Sequence, residues 1–152
     1  MIRLVEAGSL AKRAVGRAMP AAAAKEIRLL LELPAALPPV ETDASRVEQI
    51  LMNLLTNAIK YTPEGTAIRV SAQHDDRQVT YWVEDECPGI REEEAERIFD
   101  VYVTKADGDK QGIGLGLPLS RRLARLLGGE LRVVPQNGAG IFVLELPIVR
   151  KV

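Results

Sequence analysis

The chain has one cysteine, Cys87, so no disulfide can form within it, and a reducing compartment is the natural expectation. No apolar run approaches the roughly 18 residues that a membrane-spanning helix needs. The opening stretch "MIRLVEAGSLAKRAVGRAMP" has no apolar signal-peptide core and reads as a cut edge. Charge of either sign is nearly balanced, with 20 basic and 21 acidic residues leaving −1. That removes any bulk attraction to nucleic acid or to an anionic membrane, and neither is expected as a partner. Internal repeats are absent as well. What is present is a chain of 152 residues, 47% hydrophobic, suited to one domain with a sizeable core.

Ser9 is a candidate N-cap for a helix through "LAKRAVGRA", which Pro20 interrupts or restarts. "IRLLLELP" (27–34) reads as a buried strand, and a short edge strand fits near Val40. Asp43 then caps a long helix over 44–61. "TAIRVSAQH" and "QVTYWVED" alternate with a period of two around "DDR", which predicts a hairpin. "REEEAERIF" predicts a short acidic helix, followed by a long polar segment. A helix over 116–127 follows, stopped by Gly128 and Gly129. "ELRVVP" and "IFVLELP" form a last hairpin across "QNGAG". Hairpins and helices in blocks predict an α+β two-layer sandwich, with helices covering one face of a mixed sheet.

The 44–61 helix carries a puzzle in "ILMNLLTNAIKYTPEGT". Val47, Ile50, Leu51, Leu54, Leu55 and Ala58 fall on one broad apolar stripe. Arg46, Gln49, Asn53, Asn57 and Lys60 fall on a second, with Asn57 at its edge beside Ile50. The asparagines therefore border the core, as the wall of a cavity would. One reading is an ordinary solvated face. The other is a cation and phosphate site. An amide oxygen is a hard neutral ligand suited to Mg²⁺, and Lys60 one turn on can meet phosphate oxygens.

Two further stretches bear on that choice. In "VTYWVEDECPGI", the alternation that turns Val79, Tyr81 and Val83 inward also turns Asp85 inward at the strand end. A carboxylate there needs a donor, such as an exocyclic amine of adenine, or else it simply starts a turn. In "GDKQGIGLGLPLSRRL", Gly112, Gly114 and Gly116 precede a helix. Glycines let backbone approach a ligand, and a helix N-terminus suits phosphate. A P-loop is excluded, because Leu117 follows Gly116 where Lys is needed. The dinucleotide fingerprint is excluded too, because the glycines are spaced GxGxG after a polar loop.

Together these motifs resemble the ATP-binding catalytic domain of bacterial sensor histidine kinases, in the superfamily that includes gyrase, Hsp90 and MutL. The resemblance covers nearly the whole chain. "DASRVEQILMNLLTNAIKYTPEG" is similar to the N box, "VEDECPGI" to the G1 box, "RIFDVYVTK" to a degraded F box and "GIGLGL" to the G2 box. It implies the superfamily's two-layer α/β sandwich, with ATP and Mg²⁺ as cofactors. It implies Asn57 as the Mg²⁺ ligand, with Asn53, Asn57 and Lys60 at the reacting phosphate. Tyr61, Asp85, Gly89 and Ile90 would line the nucleotide, Asp85 reading the adenine amine. Thr104, Lys105, Gly112, Gly114, Leu115, Gly116 and Leu117 would close over it, with residues 91–111 as a mobile lid. Hydrolysing members and serine kinases place a glutamate base at the position of Asn53. An amide cannot accept a proton, so Asn53 points to histidine phosphorylation.

Some residues depart from the pattern. Cys87 stands at the first glycine of the G1 box, Val101 and Tyr102 replace the Pro-Phe of the F box, and Ile141 stands where Thr or Ser is common. The only histidine, His74, falls at a hairpin tip. The phosphoacceptor is thus expected on a separate helical dimerisation domain, with a response regulator as the onward partner. Residues 1–24 would be the upstream linker or first helix and 25–152 the ATP-binding domain, monomeric when isolated. A cytoplasmic domain is expected, whether or not its parent is membrane-anchored. The alternatives are a degenerate nucleotide-binding or docking module, and an ATPase or anti-sigma serine kinase of the same fold.

Overall fold

Alternation of apolar and polar residues builds the sheet, and a computed structural model describes residues 1–85, 113–136 and 139–149. The elements run β1 (Arg3–Glu6), α1 (Ala7–Ala24), β2 (Arg28–Glu32), β3 (Pro39–Thr42), α2 (Ala44–Tyr61), β4 (Ala67–His74) and β5 (Gln78–Asp85). After them come α3 (Ile113–Leu126), β6 (Glu130–Gln136) and β7 (Ala139–Pro147). Five strands form one mixed sheet in the order β2-β4-β5-β7-β6. β2 runs parallel to β4, and the other pairs are antiparallel. The architecture is the expected two-layer sandwich: α1 lies against β2 and β4, α2 against β5, and α3 against β6 and β7.

Register explains the core. Val70 pairs with Val83, Val83 with Phe142 and Phe142 with Val133, a row across four strands. Ala72, Tyr81, Leu144 and Leu131 make the next row. Both rows face the helices, and the predicted apolar stripe of α2 meets them, with all six of its residues buried. At the centre, the Tyr81 hydroxyl donates to the Ala7 carbonyl at 2.7 Å. Burial pushes that phenol well above its ordinary pKa, so it stays a neutral donor.

The opposite sheet face is held by ion pairs. Arg69 reaches Glu32 at 3.2 Å and Glu84 at 3.4 Å, and Arg132 reaches Glu145 at 3.0 Å. Glu130 joins α3 to β6. Burial alone would raise its carboxyl, but hydrogen bonds from Arg125, the Leu131 amide and Arg121 outweigh that and hold it below the ordinary range.

Four expectations need correction. Ser9 is not an N-cap: α1 starts earlier, at Ala7, because β1 delivers the chain there, and the Ser9 hydroxyl instead donates to the Glu6 carboxylate at 3.2 Å. Pro20 does not interrupt α1. The carbonyl it leaves without a donor belongs to Gly16, four residues back and exposed, where water can satisfy it. "IRLLLELP" is a strand but not a buried one, since β2 is the sheet edge and its apolar residues are only half-buried. The third helix begins at Ile113, ahead of 116, because helical geometry extends back through a first turn whose N–H groups need no helix partners. The edge strand near Val40 is β3, and it pairs with β1, which the sequence pattern does not reveal. "REEEAERIF" lies outside the described residues.

The α1–β2 junction carries backbone strain. Glu26 has φ 59, the left-handed region that favours glycine. It sits there because α1 ends in a Schellman turn, in which the Ile27 amide donates to Ala22 and the Glu26 amide to Ala23. Glu26→Gly is expected to stabilise the fold by about 0.5–1 kcal/mol, raising the thermal midpoint by roughly 2–4 °C. A midpoint equal to or below that of the parent would mean that the turn holds Glu26 without cost.

Candidate functional site

Asn53 and Asn57, in the polar stripe of α2, face α3, while Arg46, Gln49 and Lys60 are exposed. Asp43 caps α2 as expected, its carboxylate accepting from the Arg46 amide at 3.3 Å. Further along the helix, Asn53 and Asn57 are both half-buried. The Asn53 Nδ2 donates to the Ser120 Oγ at 2.8 Å, tying α2 to α3. Ser120 is fully buried on α3, among the buried Leu117, Leu123 and Ala124, with Leu127 continuing them just past the helix. Its hydroxyl would be costly there without a partner, and Asn53 supplies one. Sequence reasoning missed Ser120. The signal was a lone hydroxyl at helical spacing within an apolar stripe.

Asn57 lies one turn beyond Asn53, under the first turn of α3. A Cβ built on Gly116 would stand 3.9 Å from the Asn57 Nδ2. A side chain larger than hydrogen at residue 116 would therefore begin to fill the space above the amide. The N–H groups of the first turn of α3 lack helix partners, and they bring the positive end of the helix dipole there. Pro118 also removes the donor that would have bonded the Gly114 carbonyl. Lys60 is exposed in the last turn of α2, where a cation complements the helix dipole.

The structure thus brings Asn53, Asn57, Gly116 and buried Leu117 together between two helices. Lys60 and Tyr61 follow on α2. Asp85 ends β5, the strand that α2 packs against, on the row of Val79, Tyr81 and Val83 and opposite Gly140. The side chains of Tyr61, Asp85 and Leu115 fall outside the described residues. So do Cys87, Gly89, Ile90, the 91–111 segment with Val101, Tyr102, Thr104 and Lys105, and Gly112. His74 is exposed at the β4–β5 turn, as expected. It pairs with Val79, at the opposite end of β5 from Asp85 and roughly 20 Å away along the strand.

The donor set has a definite chemistry. One neutral amide oxygen at Asn57 is a hard ligand, too weak alone to cage a cation but sufficient for one that keeps phosphates and waters. Lys60 follows three residues on along α2 and the first turn of α3 lies against the amide, and both an ammonium and a helix N-terminus suit phosphate oxygens. The group fits a magnesium polyphosphate.

Residues 42–150 match the family described as histidine kinase-, DNA gyrase B- and HSP90-like ATPase, and the chain belongs to it. Within that family its likeness is to the ATP-binding catalytic domains of histidine kinases. The catalytic domain of histidine kinase ThkA superposes with a TM-score of 0.88, covering 99% of each chain at 24% identity. Full-length ShkA in complex with AMPPNP gives a TM-score of 0.86 at 29% identity, over 99% of this chain and 32% of that one. Among curated relatives, the adaptive-response sensory kinase SasA of Synechococcus sp. (strain JA-3-3Ab) is 38% identical over 98% of this chain and 41% of its own length. SasA of Rippkaea orientalis is 41% identical over 83% of this chain and 33% of its own. The chain spans about two fifths of the first of these relatives and a third of the second.

Proposed function

We propose that this chain is the catalytic domain of a sensor histidine kinase, and that it passes the γ-phosphate of ATP to a histidine on a separate helical dimerisation domain. The observation that carries the reading is the α2–α3 junction: Asn57 beneath the glycine turn, and Asn53 hydrogen-bonded to Ser120. Asn57 holds Mg²⁺, which supplies charge neutralisation on the phosphates when bound. Lys60 and the first turn of α3, through Gly114 and Gly116, orient the phosphate chain. Asp85 accepts from the adenine amine, and Tyr61, Gly89, Ile90, Thr104, Lys105, Gly112, Leu115 and Leu117 complete the pocket.

In the transfer, a neutral imidazole nitrogen attacks the γ-phosphorus as the bond to the ADP oxygen breaks. Such a nucleophile needs little base help, which suits an amide at Asn53 whose N–H is committed to Ser120. Rate then depends on positioning. On this reading residues 1–24 are the upstream linker and first helix, residues 25–152 carry the ATP-binding part, and the packing of α1 on α2 and β2 supports their being one domain. A response regulator takes the phosphate next, as supported by the structure of ThkA in complex with the response regulator TrrA. Among the described residues no helix is long and apolar enough to cross a membrane, and a cytoplasmic domain is part of this proposal.

Incubation with γ-labelled ATP tests this. The chain alone should bind Mg²⁺–ATP, hydrolyse it very slowly and take up no label. Adding the parent kinase's dimerisation domain should yield acid-labile label on that domain, weakly, because the tethered effective concentration is lost. Acid-labile label on the isolated chain, removed by changing His74, would sink the proposal.

Gly116→Ala separates binding from folding. Among the described residues the added methyl meets nothing nearer than 3.9 Å, and Ala is the better helix former by about 1 kcal/mol. The variant should therefore be as stable as the parent or more so, yet bind ATP at least roughly tenfold more weakly, because backbone can no longer approach the phosphates. Calorimetric titration beside thermal melting reads both. An Ala variant with full affinity would place the phosphates elsewhere.

A further inference from the structure

The last turn of α2 has a problem that its own sequence creates. Carbonyls at a helix C-terminus lose their partners. The residue four beyond Ile59 is Pro63, which has no N–H to give. The structure answers from another element. The Nζ of Lys25, the C-cap residue just after α1, donates to the Ile59 carbonyl and to the Lys60 carbonyl, each at 2.8 Å.

Lys25 is held to this task by its surroundings. The strained Glu26 turn fixes the chain just after it. The Glu26 carbonyl accepts from the Gly65 amide at 3.0 Å, and the Arg28 amide donates to the Thr66 carbonyl at 3.0 Å. The α1–β2 junction, just after Lys25, is thus laced to the loop after α2 by two backbone hydrogen bonds. Lys60 and Tyr61 sit on the turn that Lys25 caps, and Asn57 stands just before it. That turn is the negative end of the helix dipole, and it adjoins the site assigned above to a polyphosphate.

We infer that Lys25 is a positioning residue of the nucleotide site. It fixes the last turn of α2, and its charge cancels the helix-end potential that would otherwise repel the phosphate chain. The inference rests on the reading of that site as one for Mg²⁺–ATP. Nothing in the motifs of the sequence singles Lys25 out; its role comes from the α2 carbonyls it meets across the two helices, one of which Pro63 leaves without a donor.

The test compares Lys25→Met, Lys25→Gln and Lys25→Arg with the parent, by titration with ATP and with ADP in Mg²⁺ and by thermal melting. Met keeps the apolar stem without charge or donors. Gln keeps donors without charge. Arg keeps both. The Met variant should lose roughly three- to tenfold in ATP affinity, and less in ADP affinity because fewer charges face the helix end. Gln should recover melting temperature more than affinity, and Arg should recover both. Should Met fail to fold, Gln against Arg carries the same contrast. Met and Gln variants that melt lower but bind both nucleotides like the parent would reduce Lys25 to a structural cap and overturn the inference. A parent chain that binds neither nucleotide would instead remove the reading beneath it.

Discussion

Asn57→Ala is expected to abolish the Mg²⁺ dependence of ATP binding proposed for this chain and to leave the fold in place. Asn57 borders the core without belonging to it, and truncation opens its half-buried position toward the cleft under α3. Its stability cost should be within about 1 kcal/mol. The binding cost is far larger. Loss of a mere outer partner of a metal ligand weakens binding about 10–100-fold, and Asn57 is read as the ligand itself, so a loss of about a hundredfold or more is expected. Titrations with ATP should give one affinity in the variant whether Mg²⁺ or a chelator is present. An Asn57→Ala protein that binds Mg²⁺–ATP as the parent does would remove Asn57 from the metal site.

Gly129→Ala should be the most damaging small change in the described chain. α3 ends in a second Schellman turn, with Gly128 at φ 86 and the Gly129 amide donating to Ala124 at 2.9 Å. A Cβ on Gly129 would fall on the carbonyl oxygen of Glu145 and stand 3.1 Å from its carbon. Those atoms are backbone of β7, where Glu145 pairs with Glu130, and they cannot swing aside as a side chain can. Relief requires moving β7 or unwinding the turn. The expected loss is about 3 kcal/mol or more, a large share of the roughly 5–15 kcal/mol that holds a typical domain. Denaturant melts should show a much lower midpoint. A midpoint within the error of the parent would show that the two strands slide to accept a methyl.

The sequence was most readable where its period was strong. The β4–β5 hairpin, the Asp43 cap and the buried stripe of α2 follow from spacing within one element, and each lies where expected. The amides of the 44–61 helix do border the core, and Asn53 and Asn57 do face the glycine-led helix. Less readable were contacts between elements. β1 and β3 are four residues each, too short for alternation to show, and they pair across the whole of α1 and β2. Ser9 had the chemistry of a cap, but strand β1 decided where the helix began. Ser120 and Lys25 gained their roles from partners far along the chain. No local pattern encodes such a partner.

The sheet order also has a consequence for synthesis on the ribosome. β5 carries the central Tyr81, yet one of its two neighbours is β7, the last strand, with Gln78 facing Pro147 at one end and Asp85 facing Gly140 at the other. Until residue 147 leaves the exit tunnel, β5 has an open edge and half of its ladder unmade. A nascent chain stalled after β5 would expose that apolar edge to neighbours, a known route to aggregation. Such long-separation pairing also slows the search for the native state, since the loop must close before the contacts reward it. The domain is therefore expected to gain its stability late and all at once, when the C-terminal hairpin docks.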